Sequence, residues 1–409
     1  MRMFLCLFHG WRGGGASRAA TGRHFARFVL PGLLCFLGLL LLPAPIALAD
    51  GGAPNLAYVA GGSKGISVVD VVKQSVTGSI AVSGNPSMIL LSLDGRFLYV
   101  TQPQLGSVAI VAANTGNTIC TAKVPGQPTL LALDNSSNTF FAAGNGASSV
   151  TALDMNNCHV KHAYTVQGHV YGIAIANVGT SLASGNNSQL WVADDTSLTI
   201  FDDGNGRQLG NVPIVGGPHY ISIPPGSSVY VTTQDGKVLA VDLVSYNVTT
   251  LYAGGSFGPM DFDETTGQIY LPDQQHKQLV VLDPLNSGMA APAEPNHIIP
   301  LSAQPQSIAI TNDGQLGFAA LDNGSVVMLD IPAHVVITTV HVGGNPRFII
   351  TGLYPPLLAN TPQEAANLRV LLTIAAYVLI AFLLIVPIVL FVIYSRVQRK
   401  AAQETIPLK

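Results

Sequence analysis

From residue 55 to residue 356 the chain runs in short apolar bursts rich in Val, Ile, Leu and Tyr, each closed by Gly, Pro, Asn or Asp, and the bursts recur in one order. The stretch GNPSMILLSLDGRFLYVTQ (residues 84–102) shows that order: a Gly-x-Pro corner, an apolar run, a Leu-Asp-Gly-Arg turn, then Phe-Leu-Tyr-Val-Thr. Weaker copies begin at GQPTLLALD, GHVYGIAIA, GGPHYISIP, FGPMDFDET, AQPQSIAIT and GGNPRFIIT, which makes seven corners. A further landmark ends at Asp70, Ala112, Asp154, Asp202, Asp242, Asp283 and Asp330, at intervals of 42, 42, 48, 40, 41 and 47 residues.

Several short β-rich runs per period in the forties predict propeller blades of four antiparallel strands. In the second unit these strands fall at residues 87–92, 96–101, 107–112 and 117–124. The residue three places after each corner Pro tests the register. It is Ile89, Leu131, Ile173, Ile221, Phe262, Ile308 and Ile349, with Val170 standing for the Pro in the third case. One apolar side chain at one phase in every unit places it between blades, where radial symmetry repeats the demand. The Asp column at the ends of the third strands is read as turn-setting: an Asp leaving a strand accepts a bond from the amide two residues on.

The last corner, GGNPRFIIT, has no Leu-Tyr-Val burst after it, and the burst NLAYVA at residues 55–60 has no corner before it. Together they make one split blade, which closes the ring by pairing residues 347–351 with residues 56–60 and leaves no open edge.

These units resemble the seven-bladed YVTN-repeat propellers of microbial surface and secreted proteins. Leu98-Tyr99-Val100-Thr101-Gln102 and Val229-Tyr230-Val231-Thr232 carry the resemblance, beside Asn85-Pro86 and Asn345-Pro346. The final Asn of the motif is replaced in every copy. The resemblance covers roughly residues 55–356 and implies a fold. For activity it leaves lactonase-like enzymes, haem-binding and copper-binding propellers and plain interaction scaffolds open.

Composition adds the flanks. Only 10% of the 409 residues are charged. Residues 1–49 read as a secretory signal peptide: Arg2, Arg12, Arg18, Arg23 and Arg27 precede an uncharged run at 28–42, and Ala47-Leu48-Ala49 has the form of a cleavage site. After the propeller (50–356) and a short stalk (357–369), residues 370–394 form a charge-free run spanning roughly 37 Å as a helix, enough to cross a bilayer. Arg396, Arg399, Lys400 and Lys409 follow it in the tail 395–409, which places the C-terminus in the cytoplasm and the propeller outside, at the cell membrane. Residues 50–367 hold 9 Lys and Arg against 21 Asp and Glu, so nucleic acid is excluded as a partner. Cys120 and Cys158 share the oxidising side. Whether they bridge stays open, because outer strands of neighbouring blades splay apart and the two lie at different heights.

Chemistry on a propeller gathers at the mouth of the central channel. The residues just past the corners are Ser87, Thr129, Tyr171, His219, Met260, Gln306 and Arg347. His169 and His219 occupy adjacent corners, and His276 lies in a nearby connecting loop. The chain holds no Gly-x-Ser-x-Gly, no His-Glu-x-x-His, no haem attachment motif and no phosphate loop, and nothing in it requires a metal or cofactor. The expected function is therefore a binding scaffold with its face at His169, Tyr171, His219, Tyr220, Met260, Gln306 and Arg347. It would recognise a protein, an envelope polymer or a small ligand. The alternative is a lactonase-like or cofactor-binding enzyme, for which His219, Asp261 and Arg347 are the catalytic set.

Overall fold

The computed structural model describes residues 55–177, 188–285, 289–292, 294–352 and 395. Seven four-stranded antiparallel sheets follow one another along the chain. We number them as blades 1 to 7. Blade 1 combines Leu56–Gly62, Gly65–Asp70 and Ser75–Ala81 with the last strand, Phe348–Gly352, which lies innermost. The innermost strands of blades 2 to 7 are Ile89–Leu91, Gln127–Asp134, Gly172–Asn177, Pro218–Ser222, Asp261–Phe262 and Pro305–Ile310.

The split blade closes by the strand pairing the sequence predicts, one residue further along: residues 348–352, rather than 347–351, pair with residues 56–60. Leu56 pairs with Gly352 and Ala60 with Phe348, and beyond the strand the Arg347 amide donates to the Ala60 carbonyl at 2.9 Å and the Asn345 amide to Gly61 at 2.8 Å. Gly61 has φ +87°, and a Cβ there would stand 2.1 Å from the Asn345 carbonyl oxygen, so the closing corner requires glycine.

The core consists of seven apolar clusters, each between two neighbouring blades, and each holds one member of the register series. Ile89 packs between blades 1 and 2, Leu131 between 2 and 3, and so round the ring to Ile349 between 7 and 1. Blade faces alternate apolar side chains toward both neighbours, so second and third strands such as Phe97–Gln102 and Ser107–Ala112 are almost wholly buried, while outer strands such as Ser75–Ala81 are mostly exposed.

The Asp column does set turns. Asp154, Asp202 and Asp242 accept from the amides two residues on, at 2.9, 3.0 and 3.1 Å. Asp70 and Asp330 accept from the amides three residues on. Asp283 instead takes the side-chain amides of Gln268 and Asn296.

The geometric objection to a disulfide fails. Cys120 and Cys158 are bonded, with Cα atoms 5.9 Å apart. Cys120 lies on the outer strand Thr118–Lys123 of blade 2, but Cys158 lies in the turn between Ser149–Asp154 and Val160–Thr165 of blade 3, in left-handed backbone at φ +59°. That turn leans back on the neighbouring blade, so the splay of the outer strands is bypassed. The leader, stalk, apolar run and basic tail lie outside the described residues, apart from Ser395. Among the described residues no helix is long and apolar enough to cross a membrane.

Candidate functional site

Each innermost strand begins at a corner, so the first side chains of the strands meet around the channel axis. All seven residues expected at the mouth, Ser87, Thr129, Tyr171, His219, Met260, Gln306 and Arg347, line one cavity of about 440 Å³. All seven are half-buried, as a water-filled mouth requires. Tyr220 lines the same cavity. His169 does not. It stands exposed on the rim, where the Asp195 carboxylate accepts its amide at 3.1 Å and lies 3.5 Å from its ring.

The walls are held from below by the second strands. The Thr of the Tyr-Val-Thr burst does this in two blades: the Met88 amide donates to Thr101 Oγ1 at 2.8 Å, and the Tyr220 amide donates to Thr232 Oγ1 at 3.0 Å. Gly172 brings blades 4 and 5 together, since a Cβ there would meet the His219 carbonyl oxygen at 2.1 Å. The result is a string of rings across the mouth. His169 and Tyr171 have centroids 6.5 Å apart, Tyr171 and His219 5.9 Å, and His219 and Tyr220 4.0 Å. The two histidines thus approach through Tyr171 and do not touch each other.

Burial sets the charges. Desolvation lowers the His219 pKa below the usual histidine value and raises that of Tyr220, so both rings are neutral near pH 7. The hydrogen bond to Asp195 raises the Tyr171 phenol. Asp195 is lowered in turn, first by the His169 amide. Arg347 is half-buried, and among the described residues no carboxylate lies within ion-pair distance of its guanidinium.

Asp261 is on the innermost strand of blade 6, next to Met260, but it does not line the cavity. Its Oδ2 accepts the Ile310 amide of blade 7 at 2.7 Å, and desolvation raises its pKa to about 6. The set His219, Asp261 and Arg347 is therefore divided, with two members in the mouth and one in its wall. His276 is tied to the buried Asp273 at 2.6 Å, and Asp273 also accepts the amides of Ser256 and Gln275. Among the described residues no group of three or more His, Cys, Asp or Glu side chains could hold a metal.

No family model and no curated protein matches the chain. Solved structures do match. The β-propeller domain of Cps50 (Swd1) from Myceliophteria thermophila superposes with a TM-score of 0.57 at 14% identity, covering 68% of this chain and 92% of that one. A candidate 6-phosphogluconolactonase of Bacteroides uniformis gives a TM-score of 0.57 at 14% identity over 72% and 98%. Apo AztD from Citrobacter koseri gives 0.56 at 11% over 73% and 98%. At such identities the likeness extends to the propeller fold alone.

Some contributors lie outside the series of residues just past the corners. Met88, two residues past its corner Pro as Tyr220 is past Pro218, lines the cavity, and so does Gln274 from a corner-side connecting loop. Thr101 and Thr232 fix the mouth's backbone, and their recurrence in the Tyr-Val-Thr burst was the available signal. A groove of about 570 Å³ adjoins the mouth, shares Tyr171, His219, Tyr220 and Gln274 with it, and runs out past Asp235 and Gln275. Mouth and groove together offer aromatic faces, neutral donors and acceptors, the Arg347 cation in the mouth and the Asp235 carboxylate in the groove, an inventory suited to recognition.

Proposed function

We propose that the chain is an extracytoplasmic propeller of the YVTN-repeat type, held at the cell membrane by one helix, that works as a binding scaffold and reads its ligand or partner at the corner-side mouth. The observation that carries this reading is the convergence of all seven corner residues, one per blade, on a single cavity rimmed by rings. Two others support it. The described chain ends, paired as Leu56 with Gly352, lie at the end of blade 1 opposite the corner at Asn345, so a tether leaving there keeps the mouth free. The bridge between Cys120 and Cys158 suits an oxidising compartment.

The test uses the full-length protein in its own membrane. Protease added outside spheroplasts should remove the propeller and leave a small membrane-bound C-terminal fragment; full protection of the propeller would defeat the topology. Native mass spectrometry of the detergent-purified protein should show a co-purifying species that Ser87→Trp, which plugs the mouth, releases. Equal retention by the plugged variant would move the binding site elsewhere.

A lactonase-like enzyme is the second reading, and what favours it is Asp261, a carboxyl raised to about 6 on an innermost strand. Hydrolysis of simple γ- and δ-lactones that Asp261→Asn abolishes would establish it.

A further inference from the structure

The charges that line the mouth are few. Among the described residues its wall is built from Ser, Thr, Met, Leu, Val, Ile, Tyr, Gln and similar neutral residues, with Arg347 as its one formal cation and no carboxylate. The imidazole of His219 is neutral near pH 7 because burial disfavours its charged form. A half-buried guanidinium with no carboxylate of the described residues in ion-pair reach keeps its planar donor fork open to an anion from outside. The carboxylates on the same face have partners of their own: Asp195 takes the His169 amide and the Tyr171 hydroxyl at the rim, Asp235 takes Thr233 and Lys237, and Asp322 takes the Gln304 amide. Asp261 faces the Ile310 amide.

We propose that the channel mouth takes a small organic monoanion, a carboxylate with an apolar or aromatic body, whose charge pairs with Arg347 and whose body lies against Tyr171, His219 and Met260. This rests on the reading of the mouth as the ligand site. A cavity of about 440 Å³, packed as protein interiors are, holds on the order of fifteen non-hydrogen atoms. One guanidinium fork matches one carboxylate, and among the described residues no second cation lines the cavity to receive a second charge. Polyanions are turned away by the same face: Asp195 stands at the rim beside His169 and Tyr171 and Asp235 lines the adjoining groove, within a stretch that carries 21 acidic against 9 basic residues over positions 50–367. Their field is screened within about 8–10 Å at physiological salt, so inside the mouth the contact charge of Arg347 decides.

The experiment uses the full-length protein in detergent and three probes of one shape: 4-phenylbutyrate, its primary amide 4-phenylbutyramide, and 4-phenylbutylamine. Calorimetric titration should show the carboxylate binding about tenfold to a hundredfold more tightly than the amide, with the amine weakest. Arg347→Gln should erase the difference between carboxylate and amide, with the melting temperature near wild type. Arg347→Lys should restore part of the preference. Tyr171→Ala should weaken both carboxylate and amide. If all three probes bind equally and Ser87→Trp displaces them, the mouth remains the ligand site and the anion preference is wrong. If 4-phenylbutyrate binds at millimolar concentration but Ser87→Trp leaves it in place, both readings fall. Carboxylate binding no tighter than the amide's, or none detectable at millimolar concentration, overturns the proposal.

Discussion

Asp261 shows how one residue's chemistry is decided by what surrounds it. Its Oδ2 accepts the Ile310 amide across a blade boundary, and burial, helped by the nearby Glu264 charge, raises its pKa from 3.8 to about 6. The sign follows from linkage: the fold favours the neutral acid, so this group's contribution is greatest below about pH 4. That contribution falls as the unfolded chain ionises, and is fully lost above about pH 6. The difference is at most about 3 kcal/mol for a shift of this size. Asn at 261 still offers an oxygen to Ile310 and cannot ionise. Denaturation of Asp261→Asn and wild type across pH 4 to 7.5 should show the variant gaining relative stability up to about pH 6 and holding that gain above it. Parallel profiles would mean the carboxyl is ordinary. The comparison must be a difference between the two proteins, because Asp94, Asp134 and Asp263 are lowered despite desolvation, held down by hydrogen bonds to Ser, Thr or Arg partners, and give the opposite slope.

At the scale of the element, outer strands are the weakest part of a blade: they pair on one side only and leave most side chains in water. The bond between Cys120 and Cys158 ties the outer strand of blade 2 to the turn that leads into the outer strand of blade 3, across a sequence separation of 38 residues. Closing a loop of that length stabilises the fold by about 4 kcal/mol in the chain-entropy account. The double variant Cys120→Ser/Cys158→Ser should therefore unfold at lower denaturant, and reductant should lower the wild-type midpoint without moving the variant's. Hydrogen exchange should locate the first loosening at residues 118–123 and 155–165. A reductant-insensitive midpoint would show that the bridge contributes nothing.

For the whole molecule, ring closure makes seven interfaces equivalent. Each interblade cluster holds one residue of the same series, and that between blades 7 and 1 holds Ile349 on a strand donated by the far end of the chain. Ile89→Ala and Ile349→Ala each remove a buried side chain and should cost about 2–5 kcal/mol. Both should lower the midpoint of one shared unfolding transition, because a closed ring cannot lose an interface locally the way an open solenoid can. A separate early transition for blade 1 in Ile349→Ala would show that the split blade is an appendage.

What the sequence determined by itself is what repeats. Corners, strand bursts, turn-setting Asp residues and the apolar position three after each Pro are local or periodic features, and each blade enforces them alike. Blade number, the split blade and the seven residues facing the mouth were therefore legible before any coordinates. Tertiary structure alone decided what depends on how blades lean on one another. It put His169 on the rim, turned Asp261 into the wall toward Ile310, and let a turn carry Cys158 to its partner. It also left Arg347 in the mouth without a carboxylate among the described residues. A period specifies which side of a strand a residue occupies. The distance between side chains on different blades is set by the twist and closure of the ring, which no single repeat encodes.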